Sequence, residues 1–492
     1  MAILSPVRTQ VPILQGLKLI NRGKVRDTYE IDDALMLIVV TDGVSIFDFV
    51  LNDLIPQKGT ILNALSHFWF QMLESSGFKT HMVAVGKAID QYLPSELRNN
   101  HDLHCRAMVV KRHHMEPRIE HIARNCLTGS GLEEYKRSGT VCGEKLPLDL
   151  QDGDKLPTPI YTPTTKADEG HDEPIDANET KQKYPDHADT FLRAFAVITD
   201  YARKRGIIVA DGKGELSDNL VICDEFGTPD SCRFWDALAW EKSRKATVRK
   251  APQPFDKQFV RSYGVEKGLS GKLDTTNQKH IAFAHSLELP TRITRATTQT
   301  YRYIFWRITG STIEQYLRSE FGMSIESPRK KVAVVFGSES DIPFVADILK
   351  EDWFAQGISK LSTHVISCHR NPEALNAFAS SGCEGADVVI AAGGMALALP
   401  GVLDSLLYSK GKDIPVVGVG FGKAGSDALF AAKLSIEQLP EQTVVIDEMI
   451  GTAYLGHEGF TKAVHRVAFE ELPPPKMRAK KEPQFNIDLS KI

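Results

Sequence analysis

The sequence predicts an α+β domain followed by an α/β domain in which helices cover both faces of a parallel sheet. Three observations lead to this prediction. The chain has 492 residues, more than one ordinary hydrophobic core organises. From about residue 329, short runs rich in Val and Ile alternate regularly with helical stretches. Before that point, strand-like and helix-like stretches cluster separately, as they do in α+β domains.

The second half carries the more regular pattern. "IPFVADILKEDWFA" and "PEALNAFASSG" read as helices, and "PPPK" with the basic stretch after it indicates a solvated terminus. The apolar runs predict the buried parallel strands of one three-layer αβα domain of the flavodoxin or Rossmann type. These runs are "KVAVVFG", "STHVISC", "ADVVIAAGG", "DIPVVGVG" and "QTVVID".

The first half is less regular. "ALMLIVVTDGVSIFDFVL" reads as strand, turn and strand, while "ILNALSHFWFQMLESSG" and "TFLRAFAVITDYARKRG" read as helices. "LPLDLQDGDKLPTPIYTPTTKADEGHDEPID" is expected to be a long polar loop. The small and charged residues around "RSEFGMSIESPRKK" predict an interdomain linker. The predicted boundaries are 1–317 for the first domain, 318–330 for the linker, 331–472 for the second domain and 473–492 for a tail.

Composition limits the classes of partner. The net charge is -4, so there is no general basic excess to bind nucleic acid, although local sites for small anions stay open. We expect neither a secretory signal nor a membrane span, because no apolar run approaches roughly 18 residues. Seven scattered cysteines without a CxxC pair suit reduced thiols in the cytoplasm. "KRHHMEPRIEH" lacks further clustered ligands and reads as a solvated or substrate-facing segment rather than a metal site.

Polar side chains follow two neighbouring strands of the predicted parallel sheet. "GSESDIP" opens a helix with a Gly-Ser turn, whose free N–H groups suit a phosphate. "SCHRNPEAL" supplies Ser367, His369 and Arg370; Arg grips phosphate through two N–H groups, and His transfers protons near neutral pH. Helix capping explains each motif equally well when it is taken alone. Two such motifs at adjacent strand ends favour a site for a phosphorylated small molecule.

Two glycine patterns in the second half are not interpreted as nucleotide sites. "GFGKAG" matches a dinucleotide fingerprint, but that fingerprint normally follows the first strand of its unit and this one follows the fourth. "VGFGKA" resembles a phosphate loop, with Val417 where its first Gly belongs and Ala424 where Ser or Thr belongs.

The ordered motifs "GSESD", "SCHRNPEAL", "AAGGMALALPG", "IPVVGVG" and "LSIEQLP" resemble the phosphoribosylaminoimidazole (AIR) carboxylase and N5-carboxy-AIR mutase family over residues 331–450. The resemblance implies that His369 moves a proton while carbon dioxide is transferred to the imidazole carbon. The implied contacts to the ribose phosphate are Ser338, Ser340, Asp341 and Arg370. Bacterial members usually have "GGAAHLPG" where this chain has "GGMALALPG", so AIR plus carbon dioxide and N5-carboxy-AIR both stay open as substrates.

The first half concentrates carboxylates in "IIVADGKGELSDNLVICDEFGTPDSCRFWDAL", and a cluster of like charges needs a cation or a solvated edge. "GKVRDTYEI" places Lys24 and Arg26 at the start of a β ribbon, where they either reach the phosphates of a nucleotide or form a plain exposed hairpin. "ARNCLTGSG" offers Arg124 and Ser130 as a second anion site or as a simple helix cap and turn.

With "PTTKADEGHDEPI", "TPDSCRFWD" and "PFDKQFVR", these motifs resemble the SAICAR synthetase family over roughly residues 15–316. The resemblance implies a two-lobed, ATP-dependent ligase that joins L-aspartate to carboxy-AIR, with Mg²⁺ held by Glu215 and Asp224. It also implies that Asp211 and Lys213 orient the nucleotide and the substrate. The implied substrate contacts are Arg124, Ser130, His171, Asp172, Asp230, Arg233, Lys257 and Arg261.

The product of the second domain would be the substrate of the first, so the two resemblances support one bifunctional enzyme of purine biosynthesis. Two motifs depart from the ligase family: "DTKFEFG" reads "DGKGELS" here, and "DRxSAFD" reads "TDGVSIFD". Two alternatives stay open, a chain with one inactive half that serves as an assembly or regulatory platform, and a non-enzymatic nucleotide-binding scaffold. The family resemblance also implies a homo-oligomer, an octamer assembled through the second domain, with small molecules as the other partners.

Overall fold

The computed structural model describes residues 12–166, 173–351, 357–439 and 443–476. The chain divides into two compact units. The first unit takes the described residues up to Pro328 together with Glu448–Gly451 and Phe469–Pro473, and the second takes the others from Arg329 onward. The domain boundaries at 317, 330 and 472 stay predictions, and residues 477–492 of the predicted tail lie outside the described residues.

The first unit is built around two larger sheets. Its strands are β1 (Lys18–Arg22), β2 (Arg26–Glu30), β3 (Leu35–Val40), β4 (Gly43–Ile46), β5 (Phe49–Leu54), β6 (Lys79–Thr80), β7 (Met82–Val85), β8 (Ala107–Lys111), β9 (Ile119–Cys126), β10 (Thr140–Val141), β11 (Glu144–Lys145), β12 (Lys155–Tyr161), β13 (Thr164–Thr165), β14 (Ile207–Leu216), β15 (Val221–Cys223) and β16 (Cys232–Asp236). One sheet has the order β1-β2-β3-β8-β7 and is antiparallel. The other has the order β12-β9-β14-β15-β6, with β13 beside β9 and β16 beside β14.

Helices surround these sheets and close the core. They are α1 (Lys58–Ser75), α2 (His101–Arg106), α3 (Gly129–Ser138), α4 (Ala177–Lys183), α5 (Pro185–Lys204), α6 (Ala237–Arg244), α7 (Gln258–Glu266), α8 (Gln278–Ser286), α9 (Thr291–Thr309) and α10 (Ile313–Glu320). The two helices predicted in this half are confirmed as α1 and α5. α5 buries Phe191, Phe195 and Ile198, the spacing of one helix face. α1 is buried on most of its surface, including the polar Lys58, Asn63 and His67.

One prediction for the first unit is wrong. The stretch expected to be a long polar loop contains β12 and β13, both of which pair with β9. Pro157 and Pro159 lack N–H groups and hide the strand pattern in the sequence. They are tolerated because β12 lies at the edge of its sheet, where one side of the strand needs no ladder partner.

The second unit is the predicted three-layer domain. Its strands and helices are β17 (Lys330–Phe336), β18 (Ile358–Val365), α11 (Pro372–Ser380), β19 (Val388–Gly394), α12 (Leu399–Ser409), β20 (Val416–Phe421), α13 (Asp427–Glu437), β21 (Tyr454–Leu455) and α14 (Gly456–Phe469). The sheet is parallel with the order β18-β17-β19-β20-β21. This is the flavodoxin-type order, and its switch point lies beside β17, where ligands bind beyond the strand ends.

Two elements of the second unit differ from the prediction. "IPFVADILKEDWFA" forms two short 3₁₀ segments, Glu339–Phe344 and Ile348–Lys350, instead of a regular helix; residues 352–356 lie outside the described part of the chain. Pro343 lies inside the first segment and removes an N–H group that an α-helix needs. "QTVVID" contributes only a bridge between Val445 and Val417, because Asp447 turns back to pair with Thr452.

Two further features bear on the class of protein. Among the helices within the described ranges, none has the length and apolar composition needed to cross a bilayer. All seven cysteines carry free thiols, and six of them are buried. The structure therefore agrees with the absence of disulfides that the scattered cysteines predicted.

Candidate active sites

Three adjacent strands of the first unit bring one carboxylate between two arginines. Alternate residues of a strand share a face, so β14 presents Asp211, Lys213 and Glu215 together. In the sheet register, Asp211 is opposite Arg124 of β9 and also opposite Arg233 of β16. The register therefore gathers side chains that are distant in the sequence.

One oxygen of Asp211 accepts hydrogen bonds from both arginines. Arg124 Nη1 is 2.9 Å and Arg233 Nη1 is 3.1 Å from Asp211 Oδ2. Arg124 also donates to Thr162 Oγ1 at 3.0 Å and to Ser130 Oγ at 3.3 Å. Two guanidinium charges face one carboxylate, so this group of residues keeps an excess of positive charge.

The start of α3 packs against the same guanidinium groups. A Cβ at Gly129 would lie 2.9 Å from Arg233 Nη2, and one at Gly131 would lie 3.2 Å from Arg124 Nε. Gly129 has φ +55°, a left-handed conformation that glycine adopts without strain. The two glycines allow the N–H groups of the first helical turn to approach the arginines. Together they form a candidate anion site, because helix N-termini favour negative charge; it is called the anion site below.

Two lysines lie among the glutamates farther along β14. Lys213 Nζ is 2.8 Å from Glu120 Oε1, and Lys166 Nζ is 2.5 Å from Glu215 Oε1. Burial and the nearby charge of Asp224 raise the pKa of Glu215, although Lys166 acts in the opposite direction. Each of these half-buried or buried charges therefore has an opposite charge beside it on a neighbouring segment.

Arg26 of β2 reaches the loop after β15. Its guanidinium donates to Asp224 and, at 2.9 Å, to Glu225 Oε1. Asp224 has φ +61°, which is uncommon for a residue with a side chain and is a form of strain found at functional sites. The three residues line a narrow cavity together with apolar side chains, such as Ile38 and Met108, and with polar ones, such as His81.

Glu215 and Asp224 fit the role of magnesium ligands predicted for them. The charge of Asp224 raises the pKa of Glu215, so the two carboxylates lie close together. Mg²⁺ prefers hard oxygen ligands, usually one or two carboxylates completed by water and phosphate oxygens. The described residues contain no larger group of His, Cys, Asp or Glu side chains able to hold a metal ion alone. A cation at this pair would therefore take its other ligands from the substrate or solvent.

Asp230 is held by a buried lysine that the sequence motifs did not indicate. Lys58 Nζ is 2.6 Å from Asp230 Oδ2, and these side chains are 0% and 5% exposed. The hydroxyl of Tyr301 donates to Asp230 Oδ1 at 2.6 Å. Burial would raise the pKa of Asp230, but Lys58 and Lys257 outweigh it and hold that pKa well below its usual range.

The stretch "PFDKQFVR" lies beside β16, because the N–H of Phe255 donates to the carbonyl of Phe234 at 3.0 Å. Burial lowers the pKa of Lys257 and raises the pKa of Asp256. Arg261 Nη1 is 3.7 Å from Asp256 Oδ2. The predicted contacts Lys257 and Arg261 thus lie in the same charged region as Asp230.

The remaining predicted residues of the first unit are separate from this region or outside the described residues. Lys24 pairs with Asp48 at 2.5 Å on the surface, with side chains 50% and 44% exposed. His171 and Asp172 fall in the segment 167–172, which lies outside the described ranges. Their expected substrate contacts stay predictions.

In the second unit, a small polar turn follows β17. The N–H of Ser338 donates to Asp341 Oδ2 at 2.9 Å, and the hydroxyl of Ser340 donates to Ser338 Oγ at 2.9 Å. Burial raises the pKa of Asp341, against the opposing effects of the Ser338 N–H and of Arg370. Asp341 therefore organises the turn from inside, while Ser340 is exposed on its outer side.

The end of β18 meets this turn. Arg370 Nη2 donates to the carbonyl of Gly337 at 3.0 Å, and the N–H of Arg370 donates to Ser367 Oγ at 3.2 Å. His369 is exposed, with its Nδ1 3.6 Å from the Sγ of Cys368. The structure thus brings together the two motifs that the sequence placed at adjacent strand ends.

The third strand end contributes the loop that departs from the family pattern. A Cβ at Gly393 would lie 3.3 Å from Asp341 Oδ2, so the end of β19 adjoins the same turn. Met395 follows with φ +58° and is 72% exposed. This loop therefore borders the site without a His side chain.

Several residues of the first site were missed by sequence reasoning. Lys166 lies in "PTTKADEGHDEPI" and Glu225 follows Asp224 directly. Their place beside named candidates was the signal that could have identified both. Glu120 lies in the His-rich stretch that was interpreted as solvated or substrate-facing, without any residue of it being named. Lys58 and Tyr301 gave no local signal, because their contact with Asp230 depends on how α1 and α9 pack.

Both units therefore present charged and polar side chains suited to phosphorylated anions, an arrangement typical of enzymes that act on small phosphorylated metabolites. A family model for SAICAR synthetase matches residues 19–276, and one for AIR carboxylase matches residues 331–468.

Individual relatives agree with these matches. The phosphoribosylaminoimidazole-succinocarboxamide synthase of Saccharomyces cerevisiae is 34% identical over 60% of this chain and 95% of its own length. The protein of the same name from Halorhodospira halophila is 42% identical over 51% of this chain and 84% of its own. The solved SAICAR synthase of Saccharomyces cerevisiae, complexed with SAICAR, has a TM-score of 0.53 and 32% identity over 62% of this chain and 98% of that one.

The chain belongs to the SAICAR synthetase family and carries an AIR carboxylase domain as its second unit. It is a bifunctional enzyme of purine biosynthesis, as the two resemblances predicted. Nothing in these comparisons supports the alternative in which one half is inactive.

Proposed function

We propose that the second unit makes carboxy-AIR and that the first unit joins L-aspartate to it with ATP, giving SAICAR. The observation that carries the assignment of the ligation to the first unit is the pairing of Arg124 and Arg233 on one oxygen of Asp211, beside the start of α3. This arrangement has an excess of positive charge where the phosphate of carboxy-AIR needs it. Ser130 and the N–H groups of α3 add hydrogen-bond donors.

ATP is the co-substrate of the ligation, and its phosphates take Lys24 and Arg26 as partners. Arg26 lies at a narrow cavity, and Lys24 would exchange Asp48 for a phosphate. Glu215 and Asp224 would hold Mg²⁺, which would neutralise charge on the phosphate oxygens. Lys166, which pairs with Glu215, adds a positive charge beside these carboxylates.

The ligation needs an activated carboxylate. A carboxylate is a poor acyl donor, so its phosphorylation by ATP precedes attack by the amine of aspartate. Asp211 orients the two arginines, and Lys213 contributes positive charge on the same face of β14. Positioning and electrostatic stabilisation supply the rate enhancement, and no covalent protein nucleophile is required. His171, Asp172, Lys257 and Arg261 complete the substrate contacts, with Asp230 beside them.

In the second unit, Ser338, Ser340 and Arg370 bind the ribose phosphate, with Ser367 and Asp341 fixing the two turns. The electron-rich imidazole carbon captures carbon dioxide and becomes tetrahedral, so it must then lose its proton. His369 removes that proton, because it is an exposed base at the end of β18. The carboxylate comes either from free carbon dioxide, with AIR as the substrate, or from the carboxyl group of N5-carboxy-AIR.

The assembled enzyme is a cytoplasmic homo-oligomer, an octamer formed through the second unit. Apolar side chains on its helices are exposed, including Phe430 (60%) and Leu434 (38%) of α13 and Val402 (39%) of α12. Such a patch is unusual on a monomer and suits burial against another copy. Light scattering on the purified chain should give a mass of several chains, and a monomeric mass would overturn this assembly.

The division of labour is tested by assaying each unit in the intact chain. Purified protein should form carboxy-AIR without ATP, and it should form SAICAR from supplied carboxy-AIR only when ATP and L-aspartate are present. Nucleotide binding without either turnover would instead support the scaffold alternative.

A further inference from the structure

One step of the proposed ligation, the removal of a proton from the nitrogen of L-aspartate, has no residue assigned to it. L-aspartate enters as an ammonium ion, and its nitrogen must lose protons to form an amide bond. A base near the anion site is therefore required. The inference below rests on the proposed ligation and names the group that meets this need.

Most carboxylates of the first site are already occupied by cations. Asp211 is held by two arginines, and Asp230 by Lys58 and the hydroxyl of Tyr301. A carboxylate in such a contact is a weak base, because protonation would leave a buried cation without its partner.

The carboxylates near the proposed nucleotide site are also paired with cations. Asp224 and Glu225 are held by Arg26, and Glu120 by Lys213. Glu215 pairs with Lys166 and is assigned to the cation on the nucleotide phosphates. None of these groups is available to take a proton from the amine.

Asp256 differs from the others. Its Oδ1 is buried and has no hydrogen-bond partner among the described residues. Its Oδ2 has only a long contact, 3.7 Å, to Arg261. Asp256 is 9% exposed, so its carboxylate is sheltered from solvent without the close ion pair that such shelter usually brings.

The position of Asp256 is fixed by the backbone. The hydrogen bond from Phe255 to Phe234 sets it beside Arg233, which contacts Asp211 in the anion site. The charged groups that act on it are Arg261, Lys257, Arg233 and Asp230. Asp256 therefore lies near Arg233, one of the two arginines of the anion site.

We propose that Asp256 accepts the proton that the α-ammonium group of L-aspartate must lose before its nitrogen can attack. The nitrogen attacks the acyl phosphate of carboxy-AIR, a C–N bond forms, and the C–O bond to phosphate breaks. Phosphate leaves with the bonding electrons and takes up the second proton, which the nitrogen loses as the amide forms. Product release and solvent exchange then return the carboxylate to its charged form.

The electrostatic surroundings agree with this role. Burial raises the pKa of Asp256, although Arg261 and Lys257 act in the opposite direction. A carboxylate with a raised pKa is a better proton acceptor near neutral pH than an ordinary one. The basic form must be present for the reaction, so its contribution is lost as the pH falls through the raised value.

The test compares two nucleophiles in the full-length Asp256→Asn variant. With carboxy-AIR and ATP, L-aspartate turnover should fall by about 10²- to 10⁴-fold, the usual contribution of a positioned general base. Hydroxylamine is already uncharged near neutral pH, so hydroxamate formation should stay close to that of the unchanged chain. Equal loss with both nucleophiles, or no loss with either, would overturn the assignment.

Asp189→Asn is the matched control, because Asp189 is a solvent-exposed carboxylate paired with Arg193 on α5. It should leave both reactions unchanged. If Asp256→Asn does not fold, the unchanged chain still gives the answer through its pH profile. Aspartate turnover should then lose activity on acidification along a limb that hydroxamate formation lacks, and coincident profiles would contradict the proposal.

This design separates the two levels of inference. If the unchanged chain forms neither SAICAR nor hydroxamate, the proposed ligation itself is wrong. If it forms both and Asp256→Asn also forms both at full rate, the ligation stands and only the role of Asp256 is wrong.

Discussion

The two units hold phosphorylated anions in different ways. In the first unit, long charged side chains from three strands bind one another below the surface, as Arg124, Asp211 and Arg233 do. In the second unit, backbone N–H groups and small hydroxyls lie at the ends of β17 and β18, and Arg370 joins the two turns. One site is built by sheet register and the other by short motifs that follow strands.

This difference separates stability from function. Removing one partner of a buried ion pair leaves a charge without compensation, so substitutions in the first site should also destabilise the fold. Replacing an exposed side chain at a strand end leaves no buried charge without a partner. Substitutions in the second site should therefore affect turnover with little effect on folding.

The largest effect is expected for His369→Asn. Carboxy-AIR formation should fall by about 10²- to 10⁴-fold, because the proton of the tetrahedral carbon then lacks a positioned base. The thermal midpoint should not change, since His369 is exposed. SAICAR formation from supplied carboxy-AIR serves as the internal control, and an equal loss of both activities would refute the division between units.

Lys58→Met tests the other side of the comparison. Loss of the buried partner of Asp230 should lower the free energy of unfolding by about 3–5 kcal/mol. Lys24→Met removes the exposed pair with Asp48 and should cost at most about 1 kcal/mol. Denaturant unfolding measures the loss in the free energy of unfolding for both variants. Similar losses for the two lysines would contradict the expected difference between a buried and an exposed pair.

The Lys58 pair also predicts a pH dependence. The pKa of Asp230 is lower in the folded state than in the unfolded chain, so its stabilisation is complete above the unfolded value of about 4. It is lost as the pH falls from that value toward the lowered one. Acid unfolding of Lys58→Met should lack this contribution, and a curve parallel to that of the unchanged chain would count against the pair.

Glu215→Gln should reduce SAICAR formation by about 10²- to 10³-fold, the size expected for removing one electrostatic group from an organised site. Its half-saturating Mg²⁺ concentration should rise, because one carboxylate of the pair is gone. Carboxy-AIR formation should be unchanged. Near-normal ligation at low Mg²⁺ would exclude Glu215 as a ligand of the cation.

The smallest effect is expected for Arg233→Lys. The charge stays, but the planar pair of N–H donors is lost, so the KM for carboxy-AIR should rise by about tenfold, or ~1.4 kcal/mol. The kcat should change less. Steady-state kinetics with saturating ATP and aspartate give both values, and an unchanged KM would place the phosphate elsewhere.

The same contrast explains what the sequence could and could not predict. The second site follows from local motifs, since Ser338 follows β17 and Arg370 follows β18, two parallel neighbours whose ends share one edge of the sheet. In the first site, Arg124 and Asp211 lie in motifs that the sequence singled out, but their contact depends on a strand register that no local pattern reveals. Lys58 is the clearest miss, because its burial results from the packing of α1.

Proline residues also led to wrong predictions, because the apolar pattern around them indicated a different element from the one that forms. "IPFVADILKEDWFA" has helical spacing, yet its described part up to residue 351 forms only 3₁₀ segments, with Pro343 inside the first. The strand β12 was hidden by Pro157 and Pro159, which an edge strand tolerates. In both cases the hydrophobic pattern alone did not decide the element.

The most direct test of the account is carboxy-AIR formation by the purified full-length chain without ATP, followed by addition of ATP and L-aspartate to the same tube. AIR plus bicarbonate is offered in one reaction and N5-carboxy-AIR in another. We expect one of them to give carboxy-AIR, and the addition to convert that product to SAICAR. No carboxy-AIR from either substrate, with SAICAR still formed from supplied carboxy-AIR, would contradict the claim that both units are catalytic.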